Sequence, residues 1–317
     1  VKVVIHHPVL LPPKDYGGVE RVVLWLSQAL IDLGHEVFVA ALEGSRLPPG
    51  VHLISIGSHE LSAIQFLKKI PKGVDVVHFM APPEPSVWDQ LPCAGILTIH
   101  GNGKKGEMFP PNTVFLTSDH AKRHGRKVFV WNGINPSEYI YREKSYASDQ
   151  PLFLSKTSWK VKNLSGAILF ASQAKKILKI AGGNRPYGLR FKAWLLGHQW
   201  EGPVSGQKKA ELLSQASTLL FPVIWPEPFG LVVIESLMSG TPVIASPDGS
   251  LPEILGDCGI LADPRDEQAW VGAIQKVTQI SRKKCRERAL TYFTHQHMAK
   301  NYLKLYQQVV DGKELSL

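Results

Sequence analysis

Cysteine is scarce in this chain: Cys93, Cys258 and Cys285 are odd in number and widely spaced, which excludes a disulfide framework and offers no zinc-ligand spacing. Long apolar runs are missing as well. The longest are strand-sized, so no transmembrane helix is expected, and Val1 to His7 lacks the shape of a signal peptide. The expectation is therefore a protein of the reducing cytoplasm. No G-x-G-x-x-G follows the first apolar strand, which argues against an NAD-dependent dehydrogenase. Nucleic-acid-binding motifs, internal repeats and low-complexity segments are also missing, so no nucleic-acid partner is expected. His295 and His297 have no third ligand nearby in sequence and read as surface histidines, not a metal site.

What is present is enough for two domains. A chain of 317 residues with 44% hydrophobic content exceeds what one core usually supports. Its net charge of +9 is uneven: residues 1–145 carry 15 Lys+Arg against 13 Asp+Glu, and residues 146–317 carry 21 against 14. A basic second half suits a diphosphate ligand, and by charge alone would equally suit nucleic acid or an anionic membrane.

Lys2 to Ile5 reads as a strand running into a long loop, and Glu20 to Leu33 has helical periodicity, with Gly17 and Gly18 at its N-terminus. Glycines there let backbone N–H groups approach an anion. Val37–Ala41, Val51–Ile56, Val74–Phe79 and Gly95–Ile99 then alternate with helical or turn segments, the pattern of a parallel, doubly wound sheet. His100 follows the last of these strands, at the carboxyl edge where open α/β folds bind ligands. Val114–Ser118 reads as a further strand. The polar stretch 141–150 serves as the linker, dividing domain 1–145 from domain 146–292, with a terminal segment 293–317. In the second domain Leu152–Leu154 and Ala193–Gly197 read as strands, and Gln207–Gln215 as a helix. A shorter basic stretch, 61–73, has Leu61, Ile64 and Leu67 at helical spacing beside Lys68, Lys69 and Lys72; it fits either a packed helix or peripheral contact with an anionic membrane.

Residues 221–256 hold two successive strand, loop and helix starts. Pro226-Glu227-Pro228 with Gly230 makes a turning loop, and Leu231, Ile234, Leu237 and Met238 share one helical face. Gly240 and Pro242 stop that helix, Val243–Ala245 forms a strand, and Ser250 with Glu253 has capping-box spacing. Glu227 and Glu235 are the chemical centre of the stretch, because a carboxylate in an apolar helix calls for a partner.

The set Glu227, Phe229, Gly230, Leu231, Glu235, Gly240, Thr241, Pro242 and Val243 resembles the donor-binding signature of retaining family-4 glycosyltransferases of the GT-B fold. The resemblance implies two Rossmann-like, doubly wound α/β domains facing across a cleft, with a C-terminal helix (Phe293–Val309) returning to the first. It implies that Glu227 and the Phe229-Gly230-Leu231 backbone hold the donor sugar and Glu235 the ribose. His100 would lie against that sugar, and the Gly17-Gly18 loop would face the diphosphate. Family members place Gly-Arg at the end of the second domain's first strand and a Lys six positions later. Here Ser155-Lys156 and Lys162 stand instead, so a point charge replaces a guanidinium fork. Asn135 likewise replaces the family's Asp in the turn after residue 132.

On this resemblance the expected activity is hexosyl transfer from a nucleotide-diphosphate sugar to an acceptor hydroxyl, retaining, by front-face attack assisted by the leaving phosphate. His100, Glu227, Lys156 and Lys162 are the expected catalytic set. No metal or other cofactor is expected, since no Asp-X-Asp occurs and lysines and helix N-termini suffice for the charge. The acceptor, whether sugar, lipid-linked sugar or small molecule, is not readable. A nucleotide-sugar epimerase or hydrolase, and a non-catalytic sugar-nucleotide binding protein, remain the alternatives.

Overall fold

The computed structural model describes residues 1–13, 17–56, 63–104, 106–143 and 149–315. The chain forms two compact units, one of Val1–Gly133 with Thr294–Leu317 and one of Ile134–Phe293.

The first unit is built on six strands, β1 (Lys2–His6), β2 (Glu36–Leu42), β3 (His52–Ile56), β4 (Val76–Phe79), β5 (Ala94–Thr98) and β6 (Thr113–Val114). They are parallel, in the order β3-β2-β1-β4-β5-β6. Such a sheet is covered on both faces, which is why Val3, Val4 and Ile5 of β1 are all fully buried. Helices α1 (Gly18–Asp32), α2 (Ala63–Lys69), α3 (Pro85–Asp89) and α4 (Ser118–Arg123) connect the strands. The apolar stripe of α1, Val22, Val23, Leu26 and Leu30, is buried. The strand expected over Val114–Ser118 is cut short because Thr117 N-caps α4, its side chain accepting from His120 N. Val128–Val130 contributes only an isolated bridge, Phe115 to Phe129.

The second unit repeats the plan. Its strands are β7 (Leu152–Leu154), β8 (Lys179–Ala181), β9 (Gln199–Gly202), β10 (Leu219–Phe221), β11 (Val243–Ala245) and β12 (Gly259–Leu261). Their order, β12-β11-β10-β7-β8-β9, places first, second and third strands as in the first unit. Around them lie α5 (Leu164–Gln173), α6 (Tyr187–Leu195), α7 (Gly206–Gln215), α8 (Leu231–Met238), α9 (Leu251–Leu255), α10 (Glu267–Lys276) and α11 (Arg282–Tyr292). Trp270 of α10 stacks on Phe170 of α5 at 4.9 Å inside this core. Residues 193–197, expected as a strand, instead end α6 and turn at Gly197, and the strand β9 follows. The run Ala-Trp-Leu-Leu is apolar without being interior: Trp194 and Leu195 are exposed.

The second unit begins at Ile134, earlier than the linker placed at 141–150, part of which (144–148) lies outside the described residues. The physical reason is local. Ile134 N donates to Phe293 O at 2.9 Å, and Tyr139 is bonded to Glu235, so this segment packs with the second unit. The chain then returns. Helix α12 (His295–Val310) belongs to the first unit and buries Met298, Tyr302 and Tyr306 there. Tyr306 OH lies 2.7 Å from His78 Nδ1, and Tyr302 OH lies 2.9 Å from Thr98 Oγ1, which anchors the helix on β4 and β5. His295 is buried, contrary to its expected place on the surface, because it starts this packed helix. The three cysteines are free, and among the described residues no helix is long and apolar enough to cross a membrane.

Candidate active site

Strands β7 and β10 are neighbours in the second sheet although 64 or more residues separate them. The strand order reverses at this pair, and ligands of open α/β sheets bind outside the carboxyl ends at such a switch point. Two chain segments meet there. One is the turn after β7, with Ser155, Lys156 and the 3-10 turn Lys160–Lys162; the other is the loop after β10, with Trp225, Glu227 and Phe229.

Glu227 is buried, and its Oε2 accepts from Lys162 Nζ at 2.6 Å and from Trp225 Nε1 at 2.7 Å. The Lys162 ammonium also lies 4.9 Å from the Trp225 ring centre and 5.2 Å from that of Phe221. One of the three N–H donors of this buried lysine is thereby bonded to the carboxylate, and two aromatic rings flank its charge. Eight positions on, Glu235 faces a second lysine. Its Oε1 accepts from Tyr139 OH at 2.7 Å and also from Lys209 Nζ of α7. Both glutamates are therefore partnered inside the protein. Sequence reasoning misses Lys209 and Tyr139, whose roles come from folding across 26 and 96 positions, and also Trp225, only 2 positions from Glu227, because nothing in the spacing shows that its indole N–H turns back to the carboxylate.

The two loops of residues 221–256 are laced together. Glu227 and Gly249 form a backbone bridge, Ser250 N donates to Glu227 O at 2.9 Å, and Ser250 Oγ donates to Phe229 O at 3.0 Å. The Ser250 side chain thus fixes the Phe229 turn and does not form the expected cap on α9. Gly249 sits at φ +68°, and a Cβ there would fall 2.5 Å from both N and O of Glu227, so the contact requires glycine. Gly230, at φ +86°, is the left-handed residue that opens α8, whose first N–H groups lack a side-chain cap. The Thr241-Pro242 pair is structural: Thr241 Oγ1 donates to Leu213 O at 2.6 Å and Pro242 O accepts from Leu219 N at 3.0 Å.

Lys156 is half-buried with its ammonium 4.7 Å from the centre of the Trp159 ring, and that ring meets Trp225 edge-on at 6.4 Å. Lys156 and Lys162 thus join the same aromatic surroundings, one free of any ion pair in the described residues and one bound to Glu227. Asn135 accepts from Ser137 N and so opens the 3-10 turn Pro136–Glu138, as an Asp would.

In the first unit, Gly17 precedes α1 in an extended conformation and Gly18 begins the helix. A Cβ on Gly17 would meet Pro13 at 2.5 Å and Glu20 Oε2 at 2.8 Å. Close packing of the loop therefore demands this glycine, and the Glu20 carboxylate already lies at the helix N-terminus. His100 follows β5 with Nε2 3.4 Å from Met80 Sδ; its pKa is lowered to about 3 by burial and, secondly, by His7. His7, at the end of β1, is buried with neither ring nitrogen bonded within the protein, and burial lowers its pKa while Glu20 opposes that shift. Both rings are neutral at pH 7. Among the described residues no group of three or more His, Cys, Asp or Glu is arranged to hold a metal ion.

Residues 142–291 match the family model described as Glycosyl transferases group 1. The O-antigen chain mannosyltransferase RfbU of Salmonella typhimurium is 27% identical over 164 residues, covering 48% of this chain and 44% of that protein. The chain thus spans less than half the length of this curated relative. AviGT4, a glycosyltransferase involved in avilamycin A biosynthesis, superposes with a TM-score of 0.81 at 24% identity over 98% of both chains. HepE of Anabaena in complex with UDP superposes with a TM-score of 0.72 at 14% identity, over 98% of this chain and 99% of its own. These structures share the fold, two parallel six-stranded sheets with interleaved helices. The superpositions show the fold, and the family match covers residues 142–291, which lie in the second unit.

Proposed function

We propose that this protein is a glycosyltransferase that moves a hexosyl group from a nucleotide-diphosphate sugar to an acceptor hydroxyl, with retention of configuration and without a metal ion. The observation that carries the proposal is the pair of buried carboxylates eight positions apart, each tied through one oxygen to protein donors. An ionised carboxylate only accepts hydrogen bonds, and each of its oxygens can take more than one. Oε2 of Glu227 and Oε1 of Glu235 are engaged by lysine, tryptophan and tyrosine. Their opposite oxygens are left for hydroxyl groups, of the transferred sugar at Glu227 and of the ribose at Glu235.

The diphosphate would meet Lys156, Lys162 and the open first turn of α8. As the sugar–phosphate bond breaks, negative charge collects on the departing phosphate oxygen. The acceptor oxygen bonds to the anomeric carbon on the same face, and its proton passes to that phosphate oxygen, so neither carboxylate need act as nucleophile or base. On the first unit, His100 is neutral at pH 7 and suits a sugar hydroxyl better than a phosphate. The Gly17-Gly18 turn, with Glu20 beside it, is the weaker anion site of the set. The mannosyltransferase relative and the UDP-bound structure make a hexose and a nucleoside diphosphate the classes to test first.

Calorimetry with free UDP, GDP and ADP tests the assignment on Glu227→Gln and Glu235→Gln, which preserve shape. Losing a hydrogen bond to a charged group costs about 1.5 to 3 kcal/mol, so Glu235→Gln should weaken nucleotide binding about 10- to 150-fold. Glu227→Gln should bind the free nucleotide as wild type does and lose turnover. Wild-type binding and turnover in both variants would sink the proposal.

A further inference from the structure

Helix α6 (Tyr187–Leu195) carries large apolar side chains that its own unit does not cover. Of its residues only Ala193 is buried. Tyr187, Phe191, Trp194 and Leu195 are 60 to 68% exposed, and Leu196 just beyond is 49% exposed. Phe191 and Trp194 stack on each other at 5.8 Å, and with Tyr187, Arg190, His198 and Trp200 they line an open groove of about 490 Å³. Contiguous exposed aromatic surface of this kind marks an interaction site.

Charge identifies the occupant. Residues 150–200 contain nine Lys or Arg and no Asp or Glu. Within α6 itself Arg190 and Lys192 alternate with the aromatics, and Arg185 lies 5.6 Å from the Tyr187 ring. A carbohydrate would want carboxylate or amide acceptors beside the rings; none of the groove-lining residues carries one, Glu201 next to Trp200 is paired with Lys208 at 3.1 Å, and both His198 nitrogens are taken, by Ser172 and by Leu178 N. A second copy of the chain, related by a two-fold axis, would bring the same cations face to face. An anionic phospholipid surface meets both halves of the pattern, apolar rings at the headgroup boundary and Arg or Lys on the phosphates.

We propose that α6 with its flanking residues Arg185 and Leu196 is a docking surface for an anionic phospholipid membrane. The other basic amphipathic segment, 61–73, does not compete for this role. Leu61 lies outside the described residues, but Phe66 is buried, Leu67 and Ile70 pack on the first unit's core, and Lys69 Nζ donates to Ser55 O at 2.8 Å. The described apolar residues of this segment, Phe66, Leu67 and Ile70, are thus turned to their own unit.

The test is co-sedimentation of the full chain with phosphatidylcholine vesicles, with and without about 30% phosphatidylglycerol, at low salt. No donor or acceptor is present, so the outcome is separate from that of the glycosyl-transfer proposal. Wild type should sediment only with the anionic vesicles and be released by salt. Arg190→Glu/Lys192→Glu should lower the partition coefficient at least about tenfold, and Phe191→Ser/Trp194→Ser at least as much. Trp194→Phe should retain binding, and Lys68→Glu/Lys72→Glu should leave it unchanged. All substituted side chains are exposed, and matching thermal melts verify that the variants fold. Wild type remaining in the supernatant, or both α6 double variants sedimenting like wild type, overturns the proposal. So does a lipid-free dimer that the α6 variants dissociate, which would assign the surface to a second copy.

Discussion

Eleven of the twelve histidines belong to the first unit and one, His198, to the second. The second unit instead places lysines in its interior: Lys162 and Lys209 are buried against Glu227 and Glu235. Both units share one strand order, so the sheet does not dictate this contrast. One copy of the plan places neutral rings at its strand ends; the other places buried Lys–Glu pairs beside its own. A fold supplies positions, and the polar residues set there decide the chemistry.

Acid should separate the two units most sharply. Burial lowers the pKa of His6 to about 4 and of His78, His100 and His120 to about 3, against 6.5 when unfolded. Their native rings stay neutral while unfolded ones take up protons. The stability of the first unit is therefore complete above pH 6.5 and is lost as pH falls from there toward 3 to 4. Each such histidine contributes a slope of about 1.4 kcal/mol per pH unit, and four together can exhaust an ordinary stability of about 5 to 15 kcal/mol. Hydrogen exchange near pH 4.5 should show the first unit open while the second stays protected. Equal protection in both would break the contrast.

Charge removal strikes the other unit. Lys162→Met leaves Glu227 buried without its cation and should cost about 3 to 5 kcal/mol in urea unfolding of the second unit. Adding Glu227→Leu should recover most of that stability while abolishing turnover. A single variant as stable as wild type would show that the pair is not held as the structure has it.

Smaller still is the effect expected at Lys156. If its ammonium meets the donor diphosphate, Lys156→Ala should lower kcat/KM about 10- to 150-fold, the equivalent of about 1.5 to 3 kcal/mol. Lys156→Arg should keep activity. Unchanged kinetics in Lys156→Ala would reduce the residue to a partner of Trp159 and leave the phosphates to Lys162 and α8.

What could be read in the sequence follows the same division. Glu227, Phe229, Gly230 and Glu235 were legible because a loop and the helix it starts are local, and their spacing survives folding. The partners Lys209 and Tyr139 were not, since the pairing depends on how α7 and the turn at 136–138 settle beside α8. Ser250 and Glu253 had the spacing of a cap, yet the hydroxyl found a carbonyl across the neighbouring loop. Residues 193–197 depart from the strand expectation for a different reason: apolar composition is not burial, and α6 is apolar where it faces outward.

The bridge between Glu227 and Gly249 bears on how such proteins can be recombined. Because the loop after β10 and the loop after β11 hold each other through main-chain atoms, they form one inheritable cassette. A chimera that imports a foreign 222–230 segment alone would carry its carboxylate on a misplaced backbone. Only an exchange that brings 247–251 along with it preserves the mould in which that carboxylate was set.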